Sequence, residues 1–488
     1  MPRPLRVAPG SPCAAAAARA GRADAGQGSD GAGPLSVPRG AALYIGALLG
    51  PGLLLLPGLA AAEAGPASIL AWLALLCLSA LFAVVFAALG RAYPGAGGVS
   101  GYASAGLGPR AGAVAAASFL VGVVCGAPLV CLIGAGYVTD LVGGGTALRC
   151  AIAAVLLLVV LGLASGGIRA TTTAQLVLVS LLTAVIVAAV IGAAPTARAA
   201  NWLPFAPHGW ASIGHAAATL MFSFVGWEAV APLTGRFRDP ARQLPRVVGT
   251  ALAVTTVLYL GLAIATIAVL GRAAATDVPL AGLLAHAAGG EGRLLAAAVA
   301  VVLTLGTTNA YLSGAVTMAR DFAERTRPPG HRGRSPGNAG RSPGNAGRSP
   351  GHRGCSPGSA GCSQGSAGRS PGTTVGGAPG ERSERPFLVV IAVAGVVLLA
   401  LYVAGLITAA ELVGLPTTLF LVVYLCCTLS AARTLRGTAR GCSVAAFAAV
   451  AALLAFCGWA LAFAAVVAFA AALYGRRHPE RMTDDGSA

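Results

Sequence analysis

Two short stretches of the sequence combine helix-breaking residues with groups that could bind a ligand. The first is Gly-Pro-Gly at residues 50–52, inside the apolar run "GALLGPGLLLLPGLAAAEAGP". The second is "FSFVGWE" at residues 222–228, where Ser223 and Gly226 weaken a helix. Proline removes a backbone donor and clashes with the preceding turn, and glycine lowers helix stability, so we expect a break at both places. Because hydrocarbon offers freed backbone groups no partner, both breaks should line a cavity or contact a ligand.

The second stretch also carries an ionisable side chain, Glu228. Carboxylates inside a membrane are costly and usually face a cavity or a partner, so Glu228 is a candidate for proton exchange. The simpler alternative is that Glu228 only bonds the backbone of a neighbouring span.

Both stretches lie in a chain that is too apolar for an ordinary soluble domain. Of its 488 residues, 56% are hydrophobic, and the mean hydropathy is +0.78. Twelve apolar stretches of roughly spanning length predict an all-α, polytopic membrane protein. They lie at about 40–62, 66–90, 111–139, 149–165, 174–194, 213–234, 247–270, 293–319, 387–406, 410–430, 442–457 and 459–475.

The net charge of +17 comes from arginines that lie mostly between the apolar runs. This placement indicates the positive-inside rule and not a nucleic-acid partner. If the amino terminus is cytoplasmic, the external loops hold only Arg149, Arg198, Arg272 and Arg293. The sequence therefore predicts a multi-pass protein of the cell membrane with both termini in the cytoplasm.

The remaining segments are expected to be tails and one loop outside the membrane. We predict a disordered cytoplasmic tail over 1–38, helices 1–8 over 39–324, helices 9–12 over 387–476 and a second tail over 477–488. Between the helical blocks, residues 325–386 contain degenerate copies of "GRSPGNA". Gly and Pro recur there without apolar a/d positions, which predicts a disordered cytoplasmic loop.

The two expected breaks occupy matching places in two groups of five spans. Spans one and six are the first members of groups 1–5 and 6–10, which have opposite orientations because five is odd. Interrupted helices at corresponding positions of inverted halves are the best sequence indication of the binding site of a secondary transporter. For either break alone, a simple packing kink is the alternative.

Four motifs resemble those of the amino acid-polyamine-organocation (APC) permeases, in particular the bacterial exporters of methionine and branched-chain amino acids. These are "LLGPGLLLLPGLAA", "GRAYPGAGGVSGYASAGLG", "FSFVGWEAVAPLTGRFRDPARQLPR" and "TNAYLSGAVTMARDFA". The resemblance covers about residues 38–325 well and 387–477 loosely. It implies an inverted 5+5 (LeuT-like) fold followed by two extra helices, with an amino acid bound between the breaks of spans one and six.

The backbone groups freed at the two breaks suit a zwitterion bound between them. Backbone N–H groups at the helix start after Gly50 can bind the carboxylate, and the dipole of the half-helix adds to this. Unwound carbonyls near Ser223 can accept the amine. Aromatic and apolar neighbours favour Met, Leu, Ile or Val over charged substrates. The candidate substrate-binding residues are Gly50, Pro51, Gly52, Phe222, Ser223, Phe224, Val225, Gly226, Trp227 and Asn309.

The preferred hypothesis is efflux of these amino acids coupled to protons through Glu228. An importer or exchanger of the same superfamily is the alternative, and sodium coupling stays open. A membrane enzyme is disfavoured because HExxH and paired intramembrane aspartates are missing, and a channel because no filter-like repeat is visible. The cysteines have no metal-ligand spacing, so we expect neither a metal nor another cofactor.

Overall fold

The computed structural model describes residues 36–93, 98–166, 172–230, 237–326 and 381–477, and in these ranges it consists of helices without β-strands. This confirms the expected all-α class. Short 3₁₀ segments and one π-helical turn, Thr266–Leu270, join or extend the α-helices. In chain order the α-helices are α1 (Val37–Leu48), α2 (Gly52–Ala64), α3 (Ser68–Ala92), α4 (Val99–Leu107), α5 (Pro109–Val142), α6 (Thr146–Ser165), α7 (Thr172–Ala193), α8 (Ser212–Leu220), α9 (Trp227–Val230), α10 (Pro240–Ala265), α11 (Pro279–Thr326), α12 (Glu381–Val403), α13 (Ala409–Thr434), α14 (Thr438–Leu454) and α15 (Ala460–Arg477).

Eight segments in the described ranges are long and apolar enough to cross a membrane. Two shorter apolar helices, Thr438–Leu454 and Ala460–Tyr474, follow them. Helices α1 and α8, with 12 and 9 residues, end at breaks and are too short to be counted, so fewer long segments are found than apolar stretches in the sequence. The segments are Gly52–Ala92, Pro109–Val142, Thr146–Ser165, Thr173–Thr196, Arg242–Ala274, Pro279–Ala319, Pro386–Val403 and Ala409–Thr434.

Burial separates central helices from peripheral ones. In the most apolar 18-residue stretch of α5, 83% is buried inside the protein, and in that of α13 the share is 78%. In α6 and α12 the corresponding shares are only 28% and 22%. Helices that are apolar all round need an apolar environment on every side. Protein supplies that environment for α5 and α13, whereas the outward leucines and valines of α6 and α12 require lipid.

The helices are interrupted at or next to glycine or proline. Helix α1 ends at Leu48 and α2 begins at Gly52. In the sixth expected span, α8 passes into a 3₁₀ turn at Met221–Phe224, Val225 is extended, and α9 begins at Trp227. Another interruption divides α11 at Ala288 and Gly289, whose φ is +62°. The last two helices are separate, with a turn at Gly458 of φ +56°.

The short helix α4 begins inside the "YPGAGGVSGY" motif (93–102), of which residues 94–97 lie outside the described ranges. Tyr102 is only 3% exposed, and its carbonyl accepts a 2.5 Å hydrogen bond from the Ser430 hydroxyl of α13. Burial raises the pKa of Tyr102 to about 12, so its hydroxyl stays neutral. Tyr102 therefore fixes α4 to the central helix α13.

Most of the expected tails and of the repeat loop lies outside the described residues, namely 1–35, 327–380 and 478–488. At the margins the helices extend further than the expected limits. Helix α1 begins at Val37 and α12 at Glu381, although tail and loop were expected to reach 38 and 386. Charged residues such as those at 381–385 are compatible with a helix that projects beyond hydrocarbon, and hydropathy alone does not detect them.

Candidate functional site

A cavity lies between the two helix breaks. Its empty volume is about 520 Å³, including the space at its mouth. Helices α2, α5, α11 and α13 and the segment after α8 contribute its walls. The lining residues are Gly50, Pro51, Gly52, Gly122, Val123, Gly126, Ala127, Val130, Phe222, Val225, Thr307, Thr308, Tyr311, Leu312 and Phe420.

The first break presents a helix start to this cavity. The Gly50 N–H turns back to the Leu48 carbonyl at 2.8 Å, and the Leu53 and Leu54 N–H groups bond Gly50 O and Pro51 O at 3.2 and 3.0 Å. Pro51 has no N–H. The Gly52 N–H has no acceptor among the residues that the structure describes, and Gly52 lines the cavity. Such an N–H at a helix start is suited to a carboxylate.

The two breaks approach each other closely, and each has a glycine at the point of approach. A Cβ on Gly52 would lie 3.0 Å from the ring of Phe222 and 3.4 Å from the Ser223 hydroxyl. Gly226 has φ +148°, and a Cβ there would collide with the carbonyl oxygen of Ala47. The small residues that break each helix thus also permit contact between the two breaks.

One hydroxyl links the breaks. The buried Tyr259 of α10 places its hydroxyl oxygen 2.6 Å from Leu48 O and 2.7 Å from Ser223 O. A tyrosine hydroxyl carries a single proton, so it donates to one of these carbonyls at a time. The sequence analysis missed Tyr259; the only signal was a polar tip inside the apolar run "VLYLGLAIA", which needs a partner when buried.

The carbonyls of the second break already have hydroxyl neighbours. Ser223 O lies by Tyr259, and Phe224 O lies 3.5 Å from the Tyr424 hydroxyl oxygen. A carbonyl oxygen has two lone pairs and can accept a second donor. The segment can therefore still accept an amine, at oxygens that the tyrosines hold in place.

Glu228 is 4% exposed and lies beside the cavity wall. Its Oε2 accepts hydrogen bonds from the Tyr424 hydroxyl at 2.5 Å and from the Gly226 N–H at 3.0 Å. Its Oε1 is buried and has no partner in the described part of the chain. Glu228 thus connects the interrupted sixth span to the side chain of Tyr424 on α13, and not to the backbone of a neighbouring span.

The structure divides the sequence-predicted residues into two sets. Gly50, Pro51, Gly52, Phe222 and Val225 line the cavity, whereas Ser223, Phe224, Gly226, Trp227 and Asn309 do not.

The second set packs behind the cavity wall. Phe224 contacts the rings of Trp72 and Tyr259, with centroids 6.0 and 5.2 Å away. Trp227 donates from Nε1 to the Ser79 hydroxyl at 2.9 Å. Asn309 is 6% exposed on α11. The side chains of Phe224 and Trp227 therefore support the site from behind.

Helices α5, α11 and α13 supply lining residues that the sequence analysis did not name. Gly122 and Gly126 are four positions apart on α5, so they share one face and leave room beside the breaks. Thr307, Thr308 and Tyr311 give the α11 wall its polar groups. The remaining wall is largely apolar, which suits an uncharged aliphatic group.

Comparisons with known proteins agree with this architecture. A family model described as "Amino acid permease" matches residues 35–327. The chain is 27% identical over 441 residues to the uncharacterized amino acid permease YecA of Bacillus subtilis, covering 89% of this chain and 94% of that protein. It is 35% identical over 230 residues to the L-methionine/branched-chain amino acid exporter YjeH of Escherichia coli, covering 46% and 54% of the two chains.

A solved structure shares the fold. The crystal structure of MhsT in complex with L-phenylalanine superposes with a TM-score of 0.51 at 13% identity, covering 91% of this chain and 100% of that one. The helices and the family together define a multi-pass membrane protein. With more than half of its length matched by the family model, the chain belongs to the amino acid permeases of the APC superfamily.

Proposed function

We propose that this protein is a secondary active transporter that moves small neutral, apolar L-amino acids (methionine, leucine, isoleucine and valine) across the cell membrane by alternating access. The proposed frame has twelve transmembrane helices, an inverted 5+5 repeat plus two extra helices, and both termini in the cytoplasm. The observation that carries the proposal is the cavity between two interrupted helices. It combines the Gly52 N–H, which has no acceptor among the described residues, with a largely apolar wall.

In this proposal the substrate carboxylate binds at Gly52 and its amine at the carbonyls of Ser223 to Val225. Both poles then meet backbone dipoles, so no charged side chain is required at the site. The aliphatic side chain points toward Gly122, Gly126 and Phe420, which line the opposite wall. A guanidinium or carboxylate placed there would be desolvated without a partner, which disfavours charged amino acids.

Transport by purified protein in proteoliposomes tests this proposal. Labelled Met, Leu, Ile and Val should show saturable counterflow, and labelled Arg should not. Gly52→Leu should abolish counterflow because its side chain would fill the gap beside Phe222. Gly162→Leu is the matched control, since Gly162 on α6 has open space around it. Non-saturating flux, or equal activity of the two variants, would contradict the proposal.

We further propose efflux coupled to protons through Glu228. An unpartnered, buried carboxyl oxygen next to a hydroxyl and an N–H can be protonated without losing the bonds to its other oxygen. The partial match to the YjeH exporter supports efflux. Import or exchange by the same site is the alternative, supported by 27% identity over 238 residues to the branched-chain amino acid permease BcaP of Bacillus subtilis.

Glu228→Gln tests the coupling. Glutamine keeps the size of the side chain and can still accept from Gly226, so we expect leucine counterflow to persist while leucine-driven proton movement is lost. Glu291→Gln, at an exposed position, is the control. Unchanged proton movement in Glu228→Gln would remove Glu228 from the mechanism. Dependence of transport on sodium in the external medium would replace the proton with sodium as the coupling ion.

A further inference from the structure

A second cavity lies away from the helix breaks, at the face that the proposed topology makes external. Its empty volume is about 610 Å³, including the space at its mouth, and it shares no lining residue with the central cavity. Its walls come from the far end of α2, from α8, from the start of α13 and from the turn between α14 and α15. Its lining includes the polar and aromatic side chains of Glu63, His215, Thr219, Glu411, Phe456 and Trp459.

Glu63 provides an incompletely bonded carboxylate on one wall. Its Oε1 accepts a 2.8 Å hydrogen bond from the Thr219 hydroxyl. Its Oε2 is buried and has no partner within the described ranges. A buried carboxylate oxygen without a donor is unfavourable by itself, so this oxygen is available to a donor brought by a ligand.

Glu411 provides a second carboxylate that the protein holds in place. Its Oε2 accepts from the Thr408 N–H and hydroxyl at 2.8 and 2.9 Å, which forms a capping box at the start of α13. Its Oε1 accepts from the indole N–H of Trp459 at 3.1 Å. The second carboxylate is therefore pre-oriented beside the indole ring.

Aromatic rings and the charge balance complete the chemistry of this cavity. Trp459 is 49% exposed at the turn beside Gly458, and the Phe456 ring packs edge-on against His215 with centroids 5.3 Å apart. Among the described residues, His215 is the only basic side chain that lines the cavity, and no Arg does. Carboxylates combined with an exposed indole are suited to an organic cation, because the ring attracts positive charge and also covers apolar groups.

We propose that this cavity binds the ammonium group of a small aliphatic amine, with Glu63 Oε2 as its principal acceptor. Glu411 adds charge attraction from the opposite wall, and Phe456 and Trp459 contact the aliphatic part. The ammonium group can come from a free amine or from an amino acid outside the cell. Both sources offer the same N–H donors.

The position of the cavity connects its occupancy to transport. Helix α2 follows the first break and α8 precedes the second, so an occupant would bridge one half of each interrupted span to α13. A ligand that favours one arrangement shifts the equilibrium only by its differential affinity. An amine bound here should therefore hold α2 and α8 in the present arrangement and slow leucine counterflow.

Calorimetric titration of the purified full chain with 3-methylbutylamine tests the inference. This amine has the leucine side chain without the carboxylate, so it lacks the group that Gly52 is proposed to bind. We expect Glu63→Gln to weaken amine binding about tenfold or more, because it removes the charge at Oε2 while its amide oxygen can still accept from Thr219. Glu291→Gln, an exposed acid outside the cavity, should bind the amine like the unchanged protein.

Two further experiments distinguish a free amine from an amino acid as the ligand, and this cavity from the central cavity. Excess leucine should displace the amine if amino acids also use this cavity, and 4-methylpentanoate, which has no ammonium group, should not. Glu411→Gln should weaken amine binding less than Glu63→Gln, and it tests the cavity independently if Glu63→Gln proves unstable. Amine binding that is unchanged in both variants overturns the inference. Loss of amine binding with intact leucine counterflow would support it and leave the proposed transport function standing.

Discussion

Replacing Tyr259 with Phe removes the hydroxyl that links the two helix breaks and leaves the ring in place. The ring contacts Trp72 and Phe224, with centroids 5.3 and 5.2 Å away, and phenylalanine would keep both contacts. What is lost is the donor that lies 2.6 Å from Leu48 O and 2.7 Å from Ser223 O. Tyr259→Phe is therefore a specific test of whether that hydroxyl holds the breaks together.

The expected magnitude follows from the bonds that are lost. Interhelical hydrogen bonds inside membranes contribute about 0.6 kcal/mol on average and reach about 1.7 kcal/mol. Since one proton serves two buried carbonyls, we expect a loss near the upper end, about 1.5 kcal/mol, in the free energy of unfolding. The same loss of about 1.5 kcal/mol would lower the population of the conformation in which the hydroxyl links the two breaks. The decrease is about tenfold relative to a conformation without this link.

Thermal unfolding in detergent and leucine counterflow in proteoliposomes measure the two consequences. Tyr137→Phe is the matched control, because the fully buried Tyr137 donates a 2.7 Å hydrogen bond to Leu54 O, beyond the first break. Both variants should lower thermal stability, but only Tyr259→Phe should change the KM or the exchange rate for leucine. If the two variants lose equal stability and leave counterflow equally unaffected, Tyr259 has no role beyond that of an ordinary buried hydrogen bond.

Three further substitutions test other parts of the structure. Gly226→Ala should prevent accumulation of folded protein, measured as the monodisperse yield after extraction, because φ +148° and the contact with Ala47 O both exclude a Cβ. Gly122→Val narrows the central cavity beside Phe420, so the KM for leucine should rise more than that for alanine; equal changes would place the substrate side chain elsewhere. Arg149→Met removes the ion pair between Arg149 and Asp277, whose side chains are 12% and 36% exposed, respectively. It should lower the free energy of unfolding by about 1 kcal/mol, measured by thermal unfolding, and by less at high salt.

The sequence by itself determined the membrane class and the positions of the breaks. Hydropathy and length define spans because a helix satisfies its own backbone in hydrocarbon, a requirement that acts locally. Gly and Pro at 50–52 interrupt the first span for reasons within the same few residues. The break in span six, near Ser223, and the separation of the last two helices at Gly458 were predictable on the same grounds.

Only the tertiary structure decided which side chains form the site. Phe222 lines the cavity while Phe224 packs behind it, because the backbone turns through a 3₁₀ segment whose phase neither helical nor alternating periodicity predicts. Tyr259 and Tyr424 contact the breaks from helices that are distant in sequence, and Gly122 faces the cavity only because α5 crosses beside both breaks. Propensity and hydropathy are local quantities, whereas the packing of helices against one another depends on the shape of all of them together. The sequence therefore located the two helix breaks, and helix packing decided which side chains line the cavity between them.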